Sequence, residues 1–376
     1  MSAALLFIIL ATFWLAYANG ANDNFKGVAT LFGSGTTDYR RALWWATGAT
    51  FLGSLTAMAL GAQLIKTFSG KGLVPDAAVA DPTFLSAVGL GAAATVLLAT
   101  RCGFPISTTH ALVGALIGAG VATHGLAGIK LAGFGALFLI PLLVSPLLAL
   151  ALATAVYPLL HRARQALGVN RETCICIGEE VRVIADERQP GRATAAVAIG
   201  HVPSLTVGTN QTCFDRYGGT LAGVSVHTLL DRLHYLSAGA VSFARGLNDT
   251  PKIVALLVTA QAFHLPLGMG LVGIAIALGG LISAHRVAET MSHRITDMNH
   301  GQGLTANLIT AALVIGASKL GVPVSTTHVS CGALFGVGAV SGQARWTMIG
   351  TIIVAWIITL PMAALASFIV VLISSN

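Results

Sequence analysis

Two groups of chemically able residues each occur twice in the chain. Asn22-Asp23-Asn24-Phe25-Lys26 returns as Asn248-Asp249-Thr250-Pro251-Lys252. Gly103-Phe104-Pro105-Ile106-Ser107-Thr108-Thr109-His110 returns as Gly321-Val322-Pro323-Val324-Ser325-Thr326-Thr327-His328. The order is kept and so, nearly, is the spacing: Asn22 precedes Ser107 by 85 positions and Asn248 precedes Ser325 by 77. Self-similarity of this kind marks an internal duplication.

Asp23 and Asp249 stand in apolar surroundings. At the centre of a membrane helix an ionised carboxylate costs at least about 2.5 kcal/mol unless it is paired or faces water, so each is a functional candidate. Lys26 and Lys252 follow three residues later, a spacing that puts carboxylate and ammonium on one helix face. Pro followed by Ser-Thr-Thr suits a helix start, where hydroxyls cap and the first backbone N–H groups stay free. Free N–H groups at the positive end of a helix dipole favour an anion. Ser107, Thr108, Thr109, Ser325, Thr326 and Thr327 therefore read as donors to a tetrahedral oxyanion, with Lys26 and Lys252 supplying charge. The bland alternatives are two self-neutralising ion pairs and hydroxyls bonded to their own backbone. Neither explains why Asn precedes both aspartates or why both elements recur.

Other residues leave alternatives open. His110 and His328 relay protons, donate to the anion or simply pack. Arg245 attracts an anion or pairs with a loop acid. His285, His293 and His300 lack a metal-ligand spacing and read, with Arg286 and Arg294, as a solvated connection. Cys174, Cys176 and Cys213 form a weak metal or redox pattern, and reduced structural cysteines are the expectation. There is no phosphate-cradling Gly loop ending in Lys-Ser/Thr, no nucleophile elbow and no His-Glu-x-x-His, so neither ATP-driven transport nor enzymatic hydrolysis is supported.

The elements that must position these residues are membrane spans. Of 376 residues 55% are hydrophobic and 9% charged, against roughly 25% charged in a soluble domain. Leu131 to Leu160 carries no charge and exceeds the roughly 20 apolar residues that cross a bilayer. A soluble enzyme, a nucleic-acid binder and a secreted disulfide scaffold are excluded. Apolar segments lie near 3–20, 24–34, 42–65, 84–100, 104–122 and 131–160, and again near 233–247, 250–263, 266–284, 303–318, 322–340 and 346–373. Short or Gly/Pro-interrupted segments at matching positions of two halves point to a transporter binding site. Asn19 to Lys26 offers no cleavage pattern, so the N-terminal run reads as a first span. Residues 161–232 hold 8 Lys+Arg and 7 Asp+Glu. They form a hydrophilic insert with short β-type stretches at Thr173–Ile177, Val181–Ala185, Ala195–Ile199 and Leu205–Val207. Arg162, Arg164 and Arg171 close to a span end place it in the cytoplasm. Three regions result: a first membrane repeat at 1–160, the central domain at 161–232 and a second repeat at 233–376.

Gly20-Ala21-Asn22-Asp23 with Gly246-Leu247-Asn248-Asp249, and the paired Pro-x-Ser-Thr-Thr-His elements, resemble the signatures of the PiT family of inorganic phosphate transporters. The resemblance covers both hydrophobic halves. It implies an inverted-repeat, all-α polytopic membrane protein with broken or re-entrant helices and a small soluble β-containing insert, usually a homodimer. It implies symport of inorganic phosphate with Na⁺ or H⁺, with phosphate and cation contacts at the motif residues named above and the coupling cation or proton held by Asn22, Asp23, Asn248 and Asp249. Lys26 stands where the family's first copy commonly has Asn, whereas Lys252 looks like proton-coupled bacterial members. The Glu that many members carry in the span after the first motif is missing from 42–65, and Asn307 is read as the corresponding site in the second half.

The expectation is a secondary active symporter of inorganic phosphate, multi-pass in the cell (cytoplasmic) membrane and working by alternating access. It is not an enzyme, binds no nucleic acid and needs no cofactor, with Na⁺ at Asp23 and Asp249 as a candidate coupling ion. Alternatives are a permease or channel for sulfate or a related oxyanion, and a membrane sensor whose output domain is the insert.

Overall fold

A computed structural model describes residues 3–168, 173–185, 197–209 and 222–374. The first half contributes α1 (Ala3–Asp23), α2 (Tyr39–Leu60), α3 (Pro82–Arg101), α4 (Thr108–His124) and α5 (Ile140–Ala166). The second contributes α6 (Val226–Thr259), α7 (Leu265–Ser283), α8 (His300–Lys319), α9 (Thr326–Ser341) and α10 (Trp346–Ser374). Each helix of the first set has a counterpart in the same order in the second, so the duplication extends from the motifs to the architecture. Among the described residues, six helical segments are long and apolar enough to cross a membrane: Ala3–Gly27, Tyr39–Leu60, Pro82–Arg101, Leu131–Ala166, Leu265–Ser283 and Trp346–Ser374. Along α5 and α10, residues such as Leu143, Leu147, Ile357 and Leu365 are exposed, the pattern of a face turned to hydrocarbon chains.

Local chemistry sets the helix ends. Asp81 caps α3 by accepting from the Thr83 N–H at 2.9 Å, with Pro82 in the first turn. Asn299 and Gln302 form a capping box on α8. The C-termini of α3 and α8 close alike. The Gly103 N–H donates to the Thr100 carbonyl at 3.0 Å and the Phe104 N–H to that of Ala99 at 2.9 Å; Gly321 and Val322 repeat this toward Ser318 and Ala317. Gly103 and Gly321 adopt φ of 75° and 70°, the left-handed turn that glycine allows after a helix. Each turn reverses the chain into Pro-x-Ser-Thr-Thr and starts α4 or α9.

Two departures from the sequence reading concern the segments that carry Asp23 and Asp249. The apolar runs at 233–247 and 250–263 are one helix, α6, which passes through Pro251 to Thr259. Its counterpart breaks: α1 stops at Asp23, a 3₁₀ turn covers Asn24–Gly27, and a short helix follows at Ala29–Gly33. Asn307 lies on α8, the counterpart of α3, and is not the second-half equivalent of segment 42–65, whose partner is α7.

Helices of one half pack against those of the other. A Cβ on Gly20 or Gly279 would strike the backbone where α1 crosses α7, and one on Gly53 or Gly246 would do the same where α2 crosses α6. Gly114 and Gly118 let α4 touch the α10 backbone at Leu360 and Ala364, while Gly332 and Gly336 let α9 touch α5 at Pro146 and Leu150. Small residues at such crossings give close van der Waals packing where the hydrophobic effect cannot drive association.

The chain divides into two compact units, one of Met1–Tyr157 with His234–Asn376 and one of Pro158–Leu233. The smaller holds a three-stranded antiparallel sheet of order β2-β1-β3, with β1 at Thr173–Ala185, β2 at Val197–Thr209 and β3 at Ala222–Ser225. Gly178-Glu179-Glu180, which separated two expected strands, continues the ladder of β1, and Gly200 to Ser204 continues that of β2. β3 had no signal in the pattern. Residues 195 and 196 of the third expected stretch lie outside the described residues. Cys176 is disulfide-bonded, against the expectation that this group is reduced. Cys213 lies outside the described residues.

Candidate functional site

The 3₁₀ turn after α1 swings Lys26 back onto the residues that precede it. Its Nζ donates to Asn22 Oδ1 at 2.7 Å, to Asp23 Oδ1, to the Ile106 carbonyl at 2.8 Å and to Thr327 Oγ1 at 2.6 Å. On the continuous α6, Lys252 Nζ donates to the Val324 carbonyl at 2.7 Å and Thr109 Oγ1 at 2.8 Å, and lies 3.5 Å from Asp249 Oδ1. Each lysine thus reaches the third motif residue of the opposite half. Thr327 Oγ1 donates to the Ile106 carbonyl at 2.8 Å and Thr109 Oγ1 to the Val324 carbonyl at 3.3 Å. These exchanged contacts bring the N-termini of α4 and α9 together.

The remaining motif residues follow the same exchange. Ser107 and Ser325 are the caps, accepting from the His110 and His328 N–H groups at 3.1 and 3.2 Å. The N–H groups of Thr108, Thr109, Thr326 and Thr327 lie in first turns, where no intrahelical acceptor exists. Thr108 Oγ1 donates to Asp23 Oδ2 at 2.9 Å, and Thr326 Oγ1 lies 3.4 Å from Asp249 Oδ1. Asn22 Nδ2 donates to Thr100 Oγ1 at 2.9 Å, while Asn248 Oδ1 accepts from Ser318 Oγ, the matched position, at 3.2 Å. Every residue expected at the site is brought together, and none is more than 5% exposed.

Two residues outside the expected set join the halves. Asn19 Nδ2 donates to Asp23 Oδ2 at 2.8 Å and to Asp249 Oδ2 at 3.2 Å. Arg245, its counterpart in the duplication, donates from one terminal nitrogen to Asn19 Oδ1 at 2.8 Å and from the other to Asn24 Oδ1 and Thr50 Oγ1 at 3.0 and 3.1 Å. Its Nε lies 3.8 Å from Asp249 Oδ2. Arg245 therefore pairs with a motif carboxylate and not with a loop acid. The signal for Asn19 was present: a polar residue at the end of an apolar run, one helical turn before Asp23 and at the position matching Arg245.

Asp23, Asp249, Lys26, Lys252 and Arg245 are the only Asp, Glu, Lys or Arg side chains buried among the described residues. Two carboxylates face three cations, a formal excess of one positive charge. Such a cluster is suited to a bound anion. The two histidines of the motifs face each other, ring centroids 4.4 Å apart, and His328 stacks on Trp356 at 3.9 Å. His285 and His293 pack edgewise on Tyr39 and Phe32, and among the described residues no group of His, Cys, Asp and Glu forms a metal site.

Comparison with known proteins agrees with this layout. A "Probable low-affinity inorganic phosphate transporter" of Rhizobium meliloti (strain 1021) is 29% identical over 371 residues, covering 96% of this chain and 93% of the relative. "Inorganic phosphate transporter 2-1, chloroplastic" of Arabidopsis thaliana is 27% identical over 418 residues, covering 95% and 70%. A solved structure, "The sodium-dependent phosphate transporter", shares the fold with a TM-score of 0.76 at 22% identity, over 100% of this chain and 99% of that one. The model of the phosphate transporter family matches residues 19–367, a stretch that includes all four motif copies. The chain is a multi-pass membrane protein that belongs to the phosphate transporter family, a family of transporters and not of enzymes.

Proposed function

We propose that this protein is a cation-coupled symporter of inorganic phosphate that works by alternating access in the cytoplasmic membrane. The observation that carries this reading is the meeting of two Ser-Thr-Thr helix starts, one from each half, inside a buried cluster with one excess positive charge. Two capped N-termini offer N–H groups and hydroxyls to a tetrahedral anion from opposite sides. Asp23 and Asp249, buried beside them, are the carboxylates that a cation or proton would neutralise. The exchange of partners between halves supports a twofold relation of the repeats, and an inverted relation would let each half expose the site to one side in turn. The closed state described here is one that both openings would pass through.

Uptake of labelled phosphate into proteoliposomes tests the reading. Asp23→Asn and Ser325→Ala are each expected to lower the initial rate more than tenfold; unchanged uptake in both overturns the site. Imposing Na⁺ and proton gradients separately identifies the coupling ion, and transport indifferent to both would leave a passive permease. Excess unlabelled sulfate is expected not to compete; full competition would favour the general oxyanion carrier.

A further inference from the structure

The Lys26 ammonium has an unusual set of neighbours for a buried amine. Four oxygens of four chemical kinds surround it: the amide oxygen of Asn22, a carboxylate oxygen of Asp23, the hydroxyl of Thr327 and the carbonyl of Ile106. Ile106 is the non-helical residue just before the cap of α4. Carbonyls of unwound backbone beside half-helix ends, completed by hard oxygen side chains, are the donors with which transporters hold a small monovalent cation. The four come from three separate parts of the chain and from both halves, so the cage is a product of the tertiary fold and not of Lys26's own helical turn. An amine with three N–H bonds has more oxygen acceptors here than protons to give, whereas a metal cation would use all four.

We propose that Lys26 is a tethered cation filling a latent alkali-cation site, and that this site accepts free Na⁺ only when the amine is removed. The inference rests on the phosphate-symport reading and deepens it by assigning which cation serves this half of the site. Lys252 does not fill an equivalent cage so fully. It makes two close oxygen contacts, its carboxylate is 3.5 Å away, and the Phe68 ring lies 5.5 Å from its Nζ.

Two neutral variants separate charge from space. Lys26→Ala removes the amine and leaves the cage open; Lys26→Met removes the charge but keeps a chain of similar length in it. Equilibrium binding of ²²Na⁺ to the purified full-length protein, and phosphate uptake in Na⁺ against choline medium at one pH, are measured for wild type and both variants. Wild type sets the baseline for both readouts. Lys26→Ala is expected to bind close to one Na⁺ per chain more than wild type and to gain a Na⁺ stimulation at least tenfold larger than that of wild type, and Lys26→Met to do neither. Lys26→Ala binding no more Na⁺ than wild type, or Lys26→Met gaining as much Na⁺ binding as Lys26→Ala, overturns the inference. Should Lys26→Ala prove aggregated, Lys26→Ser takes its place in the same ²²Na⁺ assay, and a folded Lys26→Ser that binds no more Na⁺ than wild type overturns the inference. Absence of phosphate uptake in wild type would count against the symport reading alone, because ²²Na⁺ binding to the detergent-solubilised variants still reports on the cage.

Discussion

Asn19 and Arg245 hold matched positions in the duplication, yet one is neutral and the other a guanidinium, and they hydrogen-bond to each other at 2.8 Å. This substitution creates the excess positive charge of the site. It also sets Asp249 between two buried cations, Arg245 at 3.8 Å and Lys252 at 3.5 Å. Breaking a buried ion pair from one side costs roughly 3–5 kcal/mol, since it leaves a charge unpaired. Asp249→Asn is therefore expected to lower thermal stability in detergent sharply, and Arg245→Met with Asp249→Asn to recover at least half of that loss. A double variant no more stable than Asp249→Asn would show that the pair is not what holds this region. The exchanged contact of Lys252 with Thr109 makes a second prediction. In a double-mutant cycle of Thr109→Val and Lys252→Met the two losses are expected to be non-additive by about 0.5–3 kcal/mol, whereas residues acting within separate halves would be additive.

At the scale of helices, the crossings rest on glycines. Gly246→Ala on α6 or Gly279→Ala on α7 places a methyl group against the backbone of the crossing helix, where relief requires the helices to part. Each is expected to destabilise the fold by about 1–3 kcal/mol, the usual range for overpacking, measured as a lower midpoint of thermal unfolding. Gly270→Ala, on the open side of α7 with nothing within 4 Å, is the control and is expected to be neutral. These helices were legible in the sequence because apolar runs and capping residues are local signals. The starts of α4 and α9 could be read from Pro-x-Ser-Thr-Thr for the same reason. Arg245 and Asn19 were harder, since their partners Thr50 and Asp249 become neighbours only when α2, α1 and α6 converge. The break after Asp23 and the continuity through Pro251 went the other way from local expectation: the segment with proline stays helical and the one without it does not. Tertiary hydrogen bonds from Lys26 to the Ile106 carbonyl and from Asn22 to the Phe104 carbonyl, in the chain before α4, outweigh helix propensity there.

For the molecule as a whole, the site draws on the membrane unit only. Asn19, Asp23, Lys26, Asp249, Lys252 and both Ser-Thr-Thr elements all fall within Met1–Tyr157 and His234–Asn376. Replacing residues 169–225 with a Gly/Ser linker is accordingly expected to leave phosphate uptake within about threefold of wild type. A complete loss, with the membrane unit still monodisperse, would favour the reading in which the insert governs the core.

The unequal course of α1 and α6 bears on the direction in which such a carrier rests. For inverted repeats working by the proposed alternating access, identical halves could swap roles at no change in energy, and the protein would face each side of the membrane for equal times. One half instead has a helix interrupted at Asp23 and the other a helix unbroken to Thr259, with Arg245 on the second alone. A difference of only about 1.4 kcal/mol between the two openings makes one tenfold more populated. Under the proposed alternating access, divergence between the copies would give the molecule a preferred side to wait on, and that bias would set which compartment's phosphate it samples first.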